Sequence, residues 1–388
     1  MRNAYGSRIA ALLLLVVPVA IYMMAYLAPL LSIVSLSVDN GTLSDRFVQL
    51  SAVIEAEDRD KRAAALLGDL TSMDPRERAE AARMLNQELG GFRSLLIDTG
   101  KAAERIDPTM AGLVAFDPRW KEQAYWDVLS RNLARFTWRH FQKATGFKPD
   151  GTGRLQLAEG DDIYLRIMMR TLVIALQVGG LTLLIGYPLA YAAATGSRRL
   201  SGFILTAVLL SFWTSILVRT TAWVVLLQSD GLINNLLLNL RLITEPLQLI
   251  FNRFGTVVSM THVLLPFAIL PMMNVMRTIP TSQGDASRSL GAGPVETFLR
   301  VYFPQSLRGV FVGGGTVFIL SLGFYITPAL TGGPGDQMVS YYIADFVKKS
   351  LNWGMASVLS VILLTSVVLL LVLGAGVKRL FGRRIVEA

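Results

Sequence analysis

Few residues in this chain of 388 are equipped for covalent chemistry. Cysteine is absent, which removes thiolate nucleophiles, disulfides, zinc–thiolate sites and iron–sulfur clusters. Only two histidines occur, His140 and His262, too few for a multi-histidine metal centre. There is no dinucleotide-binding glycine fingerprint and no phosphate loop ending in Gly-Lys-Ser/Thr. The glycine-rich stretch GVFVGGGTVF (309–318) lacks that ending. Small residues that let apolar helices approach closely explain it better, and GGLTLLIG (179–186) reads the same way.

What remains is electrostatic. Arg219 stands in SILVRTTAW, inside an apolar run, where an ionisable group is costly and marks a functional site by default. It either snorkels outward, pairs with an acid, or lines a gate. His262 lies near Pro266 and Pro271, whose missing N–H groups free carbonyls toward any cavity; helix packing is the plainer role for the histidine. Asp230, Glu245 and Asp336 lie close to the ends of apolar runs, where they are either solvated or favour a cation. Trp213 and Trp223 read as core or interfacial residues. The last group is GDASRSLGAGPVETFLRVYFP (284–304), which mixes both charges with regularly spaced apolar residues between two long apolar segments.

The elements that must position these groups are membrane helices. The chain is 52% hydrophobic and only 17% charged, with mean hydropathy +0.47. Apolar runs cover about 9–36, 167–194, 203–227, 254–276, 308–328 and 354–376, each near or above the ~20 residues that cross a bilayer. The first is too long for a signal-peptide core and lacks a small-residue cleavage site, so it reads as a retained span.

The net charge of +9 is unevenly distributed. Residues 39–165 hold 18 Lys+Arg against 21 Asp+Glu, and the remainder holds 19 against 7. The basic excess therefore belongs to the spans and their short connections, which excludes a nucleic-acid face and points to topology. Arg2, Arg8, Arg198, Arg199, Arg277, Arg288, Arg300, Arg308, Lys378, Arg379, Arg383 and Arg384 fall on one side of six spans. That side is then the cytoplasm and holds both termini. Arg241, Arg253, Lys348 and Lys349 on the other side weaken the contrast without reversing it.

The expected organisation is an all-α polytopic membrane protein. A spanning helix occupies 1–38, a helical extracytoplasmic insertion 39–165, a core of five spans 166–376, and a cytoplasmic tail 377–388. Within the insertion, DPRERAEAARMLNQEL predicts a helix capped by Asp74, with Pro75 at its first position and Glu77 closing a capping box. Asp117–Pro118 predicts a second such start, and TGFKPDGTG (145–153) predicts turns. The insertion carries no catalytic motif; its role is structural or docking to another extracytoplasmic protein.

In the charged stretch, QGDASRSL predicts a short helix, Gly291 a turn, and GPVETFLRVYFP a second helix with Pro294 in its first turn. Leu290, Val295, Phe298, Leu299 and Tyr302 form its partly apolar surface, ringed by Asp285, Arg288, Glu296 and Arg300. Such a helix-turn-helix either lies on lipid or docks a partner.

This stretch resembles the EAA loop of binding-protein-dependent ABC transporter permeases of the type I importer class. Asp285, Ala286 and Ser287 stand at the acidic and two small positions, Gly291 (in SLGA, 289–292) at the motif glycine, and Phe298 and Pro304 continue it. Aspartate replaces the usual glutamate, and serine the second alanine. The resemblance covers about 165–376, and YPLAYAAAT (187–195), SFWTSILVRTTAW (211–223) and TPALTGGPGDQMV (327–339) are similar to the polyamine and opine branch. Iron, sulfate and thiamine branches are close relatives, and the long insertion departs from the family. The resemblance implies a five-helix permease core that is no enzyme and binds no cofactor or metal itself. Residues 277–307 become a coupling loop in which Asp285, Ala286, Gly291, Phe298 and Pro304 engage a cytoplasmic ATPase. Arg219, Tyr325 and His262 become candidates for the translocation path. The implied partners are an ATPase dimer using ATP-Mg, a second, identical or homologous permease, and a periplasmic solute-binding protein, at a bacterial inner membrane. The competing readings are a secondary transporter, for which no inverted repeat is visible, and a receptor sensing through 39–165, for which the tail is too short to signal.

Overall fold

The computed structural model describes residues 2–149, 155–157 and 162–386. They form two compact units, residues 1–158 with 346–362, and residues 159–345 with 363–388.

The first unit begins with α1 (Arg2–Val38), whose apolar length Leu14–Val38 buries almost nothing against the rest of the chain. A helical domain follows: α2 (Gly41–Ser44), α3 (Val48–Val53), α4 (Arg59–Ser72), α5 (Pro75–Asn86), α6 (Phe92–Ala102), α7 (Met110–Phe116), α8 (Gln123–Leu133) and α9 (Arg139–Thr145). The capping box at α5 is present: the Asp74 carboxylate accepts from the Arg76 and Glu77 N–H groups, and Glu77 accepts from the Asp74 N–H. Asp117 behaves differently. Its carboxylate accepts from the Arg119 N–H and starts only a 3-10 turn, Pro118–Lys121; Glu122 is extended, and α8 begins after it. The stretch read as turns contains β1 (Phe147–Pro149), paired antiparallel with β2 (Leu155–Leu157). Residues 150–154 lie outside the described set.

This domain has its own core. Phe47, Leu66, Leu85, Phe92, Leu95, Leu113, Trp120 and Leu129 are fully buried in it. Both core tryptophans satisfy their N–H groups, Trp120 to Thr99 Oγ1 at 3.0 Å and Trp126 to the Trp120 carbonyl at 2.9 Å. Asp69 on α4 is buried because it accepts from the Gln49 and Leu50 N–H groups, at 3.0 and 2.8 Å, at the otherwise uncapped start of α3. Residues 346–362, expected to belong wholly to the last connection and span, join this unit. Gln87 bonds the Ser350 carbonyl and the Asn352 amide, and Gly354 leaves room for the His140 ring.

The second unit contains α10 (Ile163–Thr195), α11 (Arg198–Trp213), α12 (Ile216–Leu227), α13 (Leu232–Asn239), α14 (Arg253–Met276), α15 (Thr281–Ser289), α16 (Pro294–Thr297), α17 (Phe303–Leu322), α18 (Ile326–Thr331) and α19 (Val339–Asp345). The last helix, α20 (Trp353–Val386), carries the sixth span. Among the described residues six membrane-length stretches are present: Leu14–Val38, Ile163–Thr195, Ile216–Asn239, Arg253–Met276, Pro294–Leu322 and Trp353–Gly374. The third is a correction. The run 203–227 is not one helix, because Thr214 and Ser215 are extended and the Thr214 hydroxyl caps the Leu210 carbonyl at 2.8 Å. Beyond α12 the chain is stitched by buried Asn234, which donates to the Gln228 and Leu247 carbonyls and accepts from the Leu247 N–H.

Helices α10, α14 and α17 pack around Ile174, Val178, Leu264, Ala268, Met272 and Val317. A Cβ on Gly309 would lie 3.0 Å from Met272 Cα, and one on Gly313 2.8 Å from the Ala268 carbonyl oxygen. These two glycines, four apart, therefore let α17 approach α14 backbone to backbone. In the other glycine stretch only Gly186 meets α14; Cβ atoms on Gly179 and Gly180 would have nothing within 4 Å, so close packing does not explain them.

Candidate functional site

The charged loop is built at the end of α14. Arg277 donates to Ser201 Oγ at 2.9 Å and to the Ala193 carbonyl at 3.3 Å, and Ser201 itself donates to Ala193 at 2.8 Å. These bonds tie the base of the loop to α10 and α11. Pro280 is extended and starts α15. One face of α15 is bonded to the segment that follows: Gln283 accepts from Gln305 Nε2 at 2.7 Å, Ser287 Oγ meets Thr297 Oγ1 at 3.1 Å, and Gly284 leaves ordinary contact distance to Thr297. The opposite face carries Asp285, Ala286, Arg288 and Ser289, all exposed. Asp285 and Arg288 approach to 3.7 Å, a loose pair that leaves both groups accessible.

The turn after α15 is a Schellman closure. The Gly291 N–H donates to the Arg288 carbonyl at 2.9 Å and the Ala292 N–H to the Ser287 carbonyl at 3.2 Å. Gly291 has φ +92°, which a side chain would strain, although a Cβ there would touch nothing within 4 Å. The requirement is conformational. Pro294 then opens α16, and Glu296 pairs with Arg300 at 2.8 Å.

Between α16 and α17 lies a π-helical turn, Phe298–Tyr302, where the Phe303 N–H reaches back to the Phe298 carbonyl. Pro304 follows it and has no N–H to donate, so the helix is widened where its ladder is interrupted. The widened turn presents Phe298 and Tyr302 to α10. Phe298 meets Tyr191 at 5.5 Å between ring centroids and Tyr187 at 6.4 Å, both edge-on, and Tyr191 meets Tyr302 at 5.1 Å. Ser306 Oγ donates to the Phe303 carbonyl at 2.7 Å, so the Tyr187 hydroxyl is the donor in its 2.8 Å bond to Ser306.

The site residues named from the sequence thus divide. Asp285, Ala286 and Gly291 sit together on the exposed helix and turn; Pro304 is exposed further on; Phe298 is half-buried in an aromatic cluster beneath them. Sequence reasoning missed Arg277, Gln283, Thr297, Tyr187 and Tyr191 as supports. The two tyrosines are one helical turn apart in YPLAYAAAT, a visible spacing, but no pattern pairs them with residues over 100 positions away.

The second set lies around α12. Arg219 donates to the Val263 carbonyl at 3.2 Å, and its Nε is buried without a hydrogen-bond partner. The neighbouring His262 accepts at Nδ1 from Trp223 Nε1 at 3.1 Å, which leaves its proton on Nε2 in the neutral ring. Thr220 bonds Thr327 at 3.0 Å and so joins α12 to α18, whose first turn follows Tyr325. Arg219 and His262 are brought to one place on α14, and Tyr325 belongs to the segment packed beside α12. Asp336 is committed elsewhere, in a 2.6 Å ion pair with Arg253 at the start of α14, whereas Asp230 and Glu245 are exposed. Among the described residues no group of three or more His, Cys, Asp or Glu side chains is placed to hold a metal ion.

The family model described as "Binding-protein-dependent transport system inner membrane component" matches residues 184–387, more than half of the chain. The chain belongs to that family. This permease, a multi-pass inner-membrane subunit of an ABC-type importer, contains the matched region from within α10 through α20. The spermidine/putrescine transport system permease protein PotB of Escherichia coli K12 is 24% identical over 225 residues, covering 58% of the permease and 82% of that protein. The inner membrane ABC transporter permease protein YdcU of the same organism is 31% identical over 234 residues, covering 56% and 72%. A chain of the crystal structure of a bacterial alginate ABC transporter, in complex with an alginate pentasaccharide-bound periplasmic protein, aligns at TM-score 0.44 and 16% identity. That alignment covers 56% of the permease and 79% of that chain. Membership sets aside the secondary-transporter and receptor readings.

Proposed function

We propose that α15 and its Gly291 turn are the coupling element of the permease, received by a groove of a cytoplasmic ATPase. ATP-Mg is bound and hydrolysed by a dimer of that partner, and the pull on α15 moves a two-state bundle formed with a second permease. A periplasmic binding protein delivers the solute from the opposite side, and both termini are cytoplasmic, a reading supported by the arginine-rich connections. The supporting observation is the division of α15 into two faces. Gln283 and Ser287 anchor it, while Ala286 and Asp285 are left exposed, Asp285 with only its loose pair to Arg288. Phe298 acts from beneath, as a positioning residue that couples the loop to α10 through Tyr187 and Tyr191.

The cargo is a small polar solute such as a polyamine. This follows the spermidine/putrescine transport of the PotB relative, and the translocation path runs past Arg219, His262 and Tyr325. Since Arg219 repels a cation, its place is to hold the Val263 carbonyl and limit entry, rather than to bind cargo.

The absence of native cysteines makes a direct test available. Ala286→Cys, placed opposite single cysteines in the groove of the cognate ATPase, is expected to form a disulfide cross-link that forms less readily when ATP is withheld. Cross-linking confined to lipid-facing positions of the permease overturns the assignment. Uptake of labelled spermidine and putrescine into proteoliposomes, competed against amino acids and sulfate, tests the cargo separately.

A further inference from the structure

The first unit carries an exposed aromatic pair whose height in the membrane is set by backbone bonds. Helix α1 provides 25 apolar residues, Leu14–Val38, about 37 Å of helix against a hydrocarbon core of about 30 Å, so its final turn reaches the headgroup level. At that level the chain is joined by the segment after α8. The Thr137 N–H donates to the Val38 carbonyl at 2.8 Å, the Asn40 N–H to the Arg135 carbonyl at 2.7 Å, and Asp39 and Phe136 form a β-bridge. The Asn40 side chain adds a further bond to the Ala134 carbonyl. Residues 134–137 are therefore pinned to the end of a spanning helix.

Thr137 is buried, and its two neighbours are not: Phe136 is 69% exposed and Trp138 68%. Trp138 leans on Phe141 with ring centroids 5.4 Å apart, and Arg135 and Lys143 flank the pair with exposed cations. Helix α9, seven residues or about 10 Å long, then leads to the hairpin. There Phe147 and Leu157 stand opposite each other and are both exposed. Most other aromatics of the domain lie in its own core, Phe47, Phe92, Trp120 and Trp126 among them; Phe116, 42% exposed, stands apart from the patch, so the clustering of exposed rings is local.

We propose that this patch is a membrane-interface anchor: Phe136 and Trp138 insert at the boundary between headgroups and acyl chains, beside the end of α1, and Arg135 and Lys143 meet lipid phosphates. Aromatic rings with one polar edge favour that depth, and flanking cations extend to the headgroups. The anchor holds the insertion down on the bilayer and fixes its orientation there, independently of what the insertion docks.

The test uses the full chain in proteoliposomes of phosphatidylethanolamine and phosphatidylglycerol. Phe136→Cys, Trp138→Cys and, as a reference on the same domain, exposed Lys121→Cys are each labelled with a nitroxide. Collision rates with oxygen and with a water-soluble nickel chelate are then read by electron paramagnetic resonance. Positions 136 and 138 are expected to favour oxygen several-fold over position 121. Equal access of the nickel chelate at all three positions overturns the proposal, as does a label at 138 shielded from both reagents, which would mean a protein surface covers the patch. Brominated phospholipids give a second reading on the native side chain. They should quench a fraction of wild-type tryptophan emission that the conservative variant Trp138→Phe lacks; identical quenching of the two proteins also overturns it.

Discussion

Asp285 owes its accessibility to three small residues around it: Gly284 and Ser287 let α15 lie close on Thr297, and Gly291 closes the helix in a left-handed turn. Individual residues elsewhere carry equally specific expectations. His140 is held among buried groups beside Arg139, and burial first, then that charge, pushes its imidazole down to about 4 from the usual 6.5. A base whose pKa is depressed on folding leaves stability intact above the unfolded value, and stability falls as the pH drops toward the folded one. The first unit should thus lose up to about 3 kcal/mol between pH 6.5 and 4 from this group alone. Thermal unfolding of the full chain in detergent at pH 7.5 and 4.5, followed by tryptophan fluorescence, checks it. His140→Gln should flatten that part of the pH dependence, and an unchanged slope contradicts the assignment. Asp69 offers a second case. Burial raises its pKa, opposed by the Leu50 and Gln49 amide bonds. Removing the carboxylate orphans the buried Leu50 N–H and the part-buried Gln49 N–H, so Asp69→Ala is expected to cost about 1–3 kcal/mol. A shift in unfolding midpoint indistinguishable from that of an exposed control such as Glu104→Ala would refute the capping role.

At the scale of elements, the packing of α17 on α14 turns on two glycines and not on their neighbours. Gly313→Val should prevent the approach and deplete folded permease from membranes, because the new atoms would meet the Ala268 carbonyl. Gly315→Ala, at a position with nothing within 4 Å, should leave yield within error of wild type. Size-exclusion profiles of the two variants check the contrast. The elements were unequally legible in the sequence. Apolar length disclosed six spans, and Asp74, Pro75 and Glu77 disclosed the start of α5, since both are local signals. The break at Thr214–Ser215 was hidden because hydropathy ignores a hydroxyl that terminates a helix by bonding its own carbonyls. Asp117–Pro118 looked like a second helix start and yielded only a 3-10 turn, because Glu122 leaves the helical region before the helix proper can begin. In the loop, Gly291 and Pro294 were readable from their own backbone demands. The contacts of Phe298 were not, since they depend on a π-turn and on two tyrosines contributed by α10.

For the whole molecule, the proposed coupling places the energy source in a partner ATPase: the permease would supply a helix to be held, an aromatic joint beneath it and a helical core that rearranges. The proposed topology, six spans with both ends in the cytoplasm, predicts that N- and C-terminal tags are both protected from protease in sealed spheroplasts, while a site placed at exposed Lys121 is cleaved. Cleavage at either tag would reverse the topology and remove α15 from the ATPase. The central claim is tested most directly by the ATPase rate of the reconstituted importer carrying Gly291→Pro. Proline cannot adopt the φ of +92° and has no N–H for the Arg288 carbonyl, so α15 loses its closure while the spans are untouched. The variant complex is expected to assemble, but its stimulation by loaded binding protein should fall by about tenfold or more, with transport lost in step, equivalent to at least about 1.4 kcal/mol of coupling. Full stimulation and undiminished transport in that variant would contradict it.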